Sequence, residues 1–140
     1  MARTFKVGQS NELVSSGKIY DLHGHYDFNG LAVLSGGRAR LWFVPNDEHG
    51  VGRSSVVIEV EGVDYLELTS GVATGKVRDV DEMGYKNPGD RDLDWLLEER
   101  ASTDGDHFVL RFGPNDFLRI HGQSMALRER ELSESSGLFG

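Results

Sequence analysis

The 140-residue chain has no cysteine. That removes disulfides, thiolate nucleophiles and Cys-ligated zinc or iron–sulfur centres, and it fits a reducing compartment. Proline is nearly absent as well, at three residues against eighteen glycines. Glycine in that excess implies many tight turns, and many turns imply many short strands. Long apolar runs are missing: "LAVL" (31–34) and "LWFV" (41–44) stop at four residues, far short of the ~20 that a membrane-spanning helix needs. The opening "MARTFKVGQS" lacks the apolar region of a secretory signal. A cytoplasmic protein with no membrane partner is the expectation.

Positive charge is scarce too. Fifteen Lys and Arg face 23 Asp and Glu, for a net charge of −8. Most of the imbalance sits in residues 79–106. Asp79, Asp81, Glu82, Asp90, Asp92, Asp94, Glu98, Glu99, Asp104 and Asp106 are offset there only by Lys86, Arg91 and Arg100. Such a segment repels phosphate backbones, so nucleic acid is not an expected partner, whereas a basic protein would be attracted.

What is present reads mostly as strands. "TFKV" (4–7), the alternating "KIYDLHGHYDF" (18–28), Val56–Val60 and Tyr65–Thr69 carry period-two patterns. "LAVLSGGRARLWFV" (31–44) predicts a hairpin turning at Gly36-Gly37, and "HFVLRFGPNDFLRIHG" (107–122) a second around "GPND". "VATGKVRDV" (72–80) is a further candidate edge strand, "PNDEHGVGR" (45–53) a loop, and "SMALRERE" (124–131) a last strand or a short helix. One helix is expected, in "NPGDRDLDWLLEER". Asp90 would be its N-cap, and Leu93, Leu96 and Leu97 would recur at i, i+3 and i+4. The expected fold is mainly β: a single-domain antiparallel β-sandwich or small barrel over residues 1–140. It carries one short α-helix at about 90–100 and a loosely ordered tail at 132–140.

The candidate chemistry centres on "YDLHGHYDFN" (20–29). Read as a strand, it sends Tyr20, Leu22, Tyr26 and Phe28 to the core, and Asp21, His23, His25, Asp27 and Asn29 to the other face. Histidines at i and i+2 on one strand face stand about 6–7 Å apart and could share a metal. Asp27 on the same strand, or His121 or His107 on another, could supply a third ligand. The bland alternative is a wet strand face.

Three family patterns overlap this chain. "HGHYDF" resembles the His-x-His-x-Asp-His signature of metallo-β-lactamase-like hydrolases, but Phe28 stands where the last histidine belongs. "GQSMA" (122–126) resembles the α/β-hydrolase nucleophile elbow around Ser124, yet no histidine follows it. The order Gly17, His23, His25, Asn29, Gly36 resembles the first cupin motif, with Asn29 in place of its glutamate. The cupin resemblance implies a small metal-binding barrel. Its ligands for a divalent transition metal would be His23, His25 and, less directly, His121. "DVDEMGYKNPGD" (79–90) has the length of a calcium loop but places Met83 where an oxygen ligand belongs.

No catalytic constellation is complete in the sequence. The favoured expectation is a small acidic, non-enzymatic binding module without a cofactor, of the kind represented by immunity proteins. His23, His25, Asp27, Asp90, Asp92 and Asp94 would face a basic protein partner. The alternatives are the cupin-like metal barrel and a homodimer subunit with no chemistry of its own.

Overall fold

The computed structural model describes residues 1–46 and 54–130. In chain order the strands are β1 (Ala2–Arg3), β2 (Lys6–Val7), β3 (Glu12–Ser15), β4 (Lys18–Asp21), β5 (Tyr26–Leu34), β6 (Arg38–Pro45) and β7 (Ser55–Glu61). After β8 (Tyr65–Leu68) comes a four-residue helix α1 (Ser70–Ala73). The series ends with β9 (Glu82–Lys86), β10 (His107–Phe112), β11 (Asp116–His121) and β12 (Ser124–Arg130). The fold is mainly β, as the turn-rich composition implies. They form three sheets, ordered β1-β12-β7-β6-β5, β8-β11-β10-β9 and β2-β3-β4. Pairings are antiparallel except β1 with β12.

Period-two alternation builds one shared core between the sheets. Ala39, Leu41 and Phe43 on β6 and Val56, Ile58 and Val60 on β7 face Phe108, Leu110, Phe112, Leu118 and Ile120 of the second sheet. Phe28 joins the layers, its ring 5.6 Å from Phe43 and 5.0 Å from Phe112. Phe5 packs edge-on against Phe108 at 6.0 Å. Each such side chain contributes roughly 1.5–3 kcal/mol by leaving water, which makes this sandwich-like core the main stabiliser of the fold. Both expected hairpins form. Leu34 pairs with Arg38 across Gly36 and Gly37, whose φ angles of +80° and +72° suit glycine. Phe112 pairs with Asp116 around Gly113.

Two expected elements are absent where the sequence placed them. No α-helix forms over 90–100; that stretch is a loop ending in a 3-10 turn at Glu99–Ala101. Asp90 and Asp92 do not cap a helix. Each bends its carboxylate onto the amide two residues on, Asp92 N–H at 2.9 Å and Asp94 N–H at 3.0 Å. These local bonds compete with helical ones. Leu97 is drawn off into a two-bond bridge with Tyr85 at 3.0 and 2.7 Å. Residues 72–80 are not an edge strand either. They leave α1 through a turn and run irregularly past β5, where Arg78 C=O accepts from Phe28 N–H. The 132–140 tail and most of the 45–53 loop lie outside the described residues. Among those described, no helix is long and apolar enough to cross a membrane.

Candidate functional site

The histidine pair does not lie on a strand. Residues 22–25 are a turn that carries the chain from β4 in the three-stranded sheet to β5 in the five-stranded one. Asp21 organises it: its Oδ1 accepts from the amides of His23 (3.1 Å) and Gly24 (2.8 Å), and its carbonyl accepts from His25 N–H at 2.9 Å. The alternation of burial expected for the segment survives, with Tyr20, Leu22, Tyr26 and Phe28 buried. The two imidazoles, however, are not neighbours on a pleated face. His23 Nδ1 lies 2.6 Å from Val80 C=O. Asp27, on β5, lies 3.8 Å from the Arg78 guanidinium. His121 is engaged elsewhere, with Nδ1 2.7 Å from Asp64 Oδ1 and Nε2 3.2 Å from Asp104 C=O. Among the described residues, no group of three or more His, Cys, Asp or Glu gathers in metal-binding geometry. The cupin-like arrangement of His23, His25 and His121 is therefore not assembled.

A different cluster is built on the outer face of the four-stranded sheet. Cross-strand register places Tyr65 and Glu67 of β8, His121 and Arg119 of β11, His107 and Val109 of β10, and Lys86 and Gly84 of β9 side by side there. Loop 87–98 folds down over them. Gly84 permits the close approach: a Cβ on it would stand 2.8 Å from both Leu96 Cβ and Leu97 O. Arg119, fully buried, fastens the loop. Its Nη1 donates to Asp90 C=O (2.7 Å), and its Nη2 donates to Asn87 C=O (2.8 Å) and Pro88 C=O (3.2 Å). Its Nε donates to His107 Nδ1 at 2.8 Å.

That last bond fixes the state of His107. A guanidinium only donates, so His107 Nδ1 is a lone pair and the ring is neutral. Burial, then the charge of Arg119, then His121, push its pKa down to about 4. The Tyr65 ring stacks on it with centroids 4.4 Å apart, and the His121 ring follows at 5.5 Å. Beyond Tyr65, Glu67 is gripped by both amino groups of Arg91 and by the Tyr65 hydroxyl at 2.6 Å. These bonds hold its carboxyl down at about 2.

The loop presents a distinct surface outward. Lys86 is buried, and its ammonium stands 3.6 Å from the centroid of the Trp95 ring and 3.1 Å from Asp90 Oδ2. The ion pair with Asp90 lies off hydrogen-bond geometry, so the indole face is a substantial part of the ammonium's environment. Trp95 itself is 54% exposed. Asp92, Asp94 and Glu98 surround it in sequence and are exposed. Asp94 reaches only 4.0 Å from Arg111. The helix expected over 90–100 would set Trp95 beside its Leu93, Leu96 and Leu97 stripe, and with no helix there the indole stands at the surface.

No family model, curated protein or solved structure matches this chain.

Proposed function

We propose that the protein is a non-enzymatic binding module whose docking surface is Trp95 with Asp92, Asp94 and Glu98, and that its partner is a basic protein. The observation that carries this reading is the fixed, half-exposed indole. Its inner face is occupied by the Lys86 ammonium at 3.6 Å, on a loop fastened to the sheet by Arg119. An aromatic anchor that is already ordered loses little entropy on binding, and tryptophan is enriched among residues that dominate interface energies. Carboxylates around it supply steering and select for cationic partners. Immunity proteins use an acidic face of this kind to cover the basic active site of a toxin; that parallel is one of charge and fold class.

Capture from a lysate of the source organism at low salt tests the reading, with two variants beside the wild type. Asp92→Asn/Asp94→Asn keeps the loop's turn bonds, since the asparagine oxygen still accepts, but removes two charges. Trp95→Ala removes the anchor. The expected result is one basic protein retained by the wild type, bound at least about 30-fold more weakly by Trp95→Ala, with affinity falling as salt rises. Equal retention by all three proteins, or binding indifferent to salt, would remove the proposal.

A further inference from the structure

We propose that the His107–Arg119 pair is an acid-operated latch on the 87–90 arm of the loop that carries Trp95, holding that arm in place only while the His107 ring is neutral. The geometry supports it directly. One guanidinium ties down the start of the loop, with three bonds to its backbone at Asn87, Pro88 and Asp90 and one to His107 Nδ1; farther on, Arg91 on Glu67 and the Tyr85–Leu97 bridge hold it. The site is closed to water at both residues. A proton added at Nδ1 converts the acceptor into a donor pointing at a donor 2.8 Å away, and sets two positive charges against each other out of solvent. Arg119 must then turn from the ring, and its loop bonds turn with it.

The charges facing His107 leave little to offset this. Arg119 and His121 approach it from β11, and Lys86 is its cross-strand neighbour on β9. Tyr65 covers the ring from β8. The acids nearby are Asp64, already bonded to His121, Asp106, which accepts from Thr103 N–H at 2.8 Å, and Asp90, paired with Lys86. None of the three makes a hydrogen bond to His107 itself. The coupling is reciprocal. A closed latch that lowers the ring's pKa from 6.5 to about 4 weakens its proton affinity by about 300-fold. Full protonation therefore favours the open loop by at most that factor, because opening relieves the Arg119 charge and part of the burial but leaves His121 beside the ring. The consequence for partner binding rests on the reading above; the latch itself does not.

The test needs no partner. The His107 ring is titrated by NMR from pH 7 to pH 3 while protection factors are followed at the amides of Asp90 and Asp92, with Leu97, held by the Tyr85 bridge, and Leu110 and Ile58 as references. The expected result is that protection at Asp90 and Asp92 falls, by up to about 300-fold, with the same midpoint as the His107 ring, while the reference amides stay protected. The variant His107→Asn keeps an acceptor near the Nδ1 position but has no proton to gain, and its loop should stay protected across the range. Asp90 and Asp92 amides that remain protected after His107 has titrated would overturn the latch. So would a His107→Asn loop that opens with the wild-type profile. If that variant does not fold, the wild-type midpoints alone decide. Partner binding that fails at every pH, with the latch working as described, would sink the docking surface and leave the latch standing.

Discussion

Arg119 shows how much one buried side chain can fix. It sits mid-strand on β11 with no exposed surface and spends its hydrogen bonds on three loop carbonyls and one imidazole. Lysine is not equivalent, because it lacks the planar fork that reaches several acceptors at once. Arg119→Lys should cost about 2–3 kcal/mol, the penalty for leaving buried carbonyls and an imidazole nitrogen short of donors. Chemical denaturation would show the loss. Trp95→Ala should cost less, about 1–2 kcal/mol, since it removes one cation–π contact and a half-exposed side chain while opening the Lys86 ammonium to water. A denaturation midpoint for Trp95→Ala as low as that for Arg119→Lys would mean that the indole is structural, not an interaction surface.

At the level of elements, the loop over the four-stranded sheet depends on a single missing methyl group. Gly84→Ala would place a Cβ 2.8 Å from backbone and side-chain atoms of residues 96–97. The expected outcome is a loop displaced from β9, a stability loss of about 1–3 kcal/mol, and loss of the Tyr85–Leu97 bridge. The amide resonances of Tyr85 and Leu97 would report it, and their persistence unchanged would contradict the packing described. This loop also marks the limit of what the sequence revealed. Strands with clean alternation, such as Val56–Val60, and hairpins with glycine at the turn were legible because period and turn chemistry are local. The leucine spacing at 93, 96 and 97 matched a helix equally well. What decided against it is non-local: Arg119, about 30 residues on, captures the carbonyls of Asn87, Pro88 and Asp90, and Tyr85 captures Leu97. "HGH" failed for a related reason. The burial alternation of 20–28 was correct, but Asp21 closes a turn on the amides of His23 and Gly24, and a change of sheet follows. The candidate site was legible only in part. Asp90, Asp92 and Asp94 were identified as surface acids, while Trp95, Lys86, His107 and Arg119 come together only through strand register.

For the molecule as a whole, His107 and Glu67, two displaced groups of the outer face that titrate in acid, set opposite ends of an acid-unfolding profile. His107 holds a pKa of about 4 against 6.5 for an ordinary histidine. The unfolded chain therefore takes up a proton first as pH falls. By linkage, stability is complete above 6.5, declines through the window from 6.5 to about 4, and levels off below it. The loss from this group is at most about 3 kcal/mol, the equivalent of its displacement. Glu67 acts later. Its carboxyl titrates near 2 in the fold because Arg91 and Tyr65 bind the anion. Its contribution is present above its ordinary value of 4.5 and is lost as pH falls through about 2. Thermal unfolding between pH 8 and pH 2 should thus show a first decline in Tm above pH 4 and a second below it. His107→Asn should flatten the first and leave the second. Glu67→Gln should do the reverse, with a lower Tm at neutral pH. A first decline that survives intact in His107→Asn would assign it to other titrating groups and remove the basis for treating the His107–Arg119 pair as the acid-sensitive point of the fold.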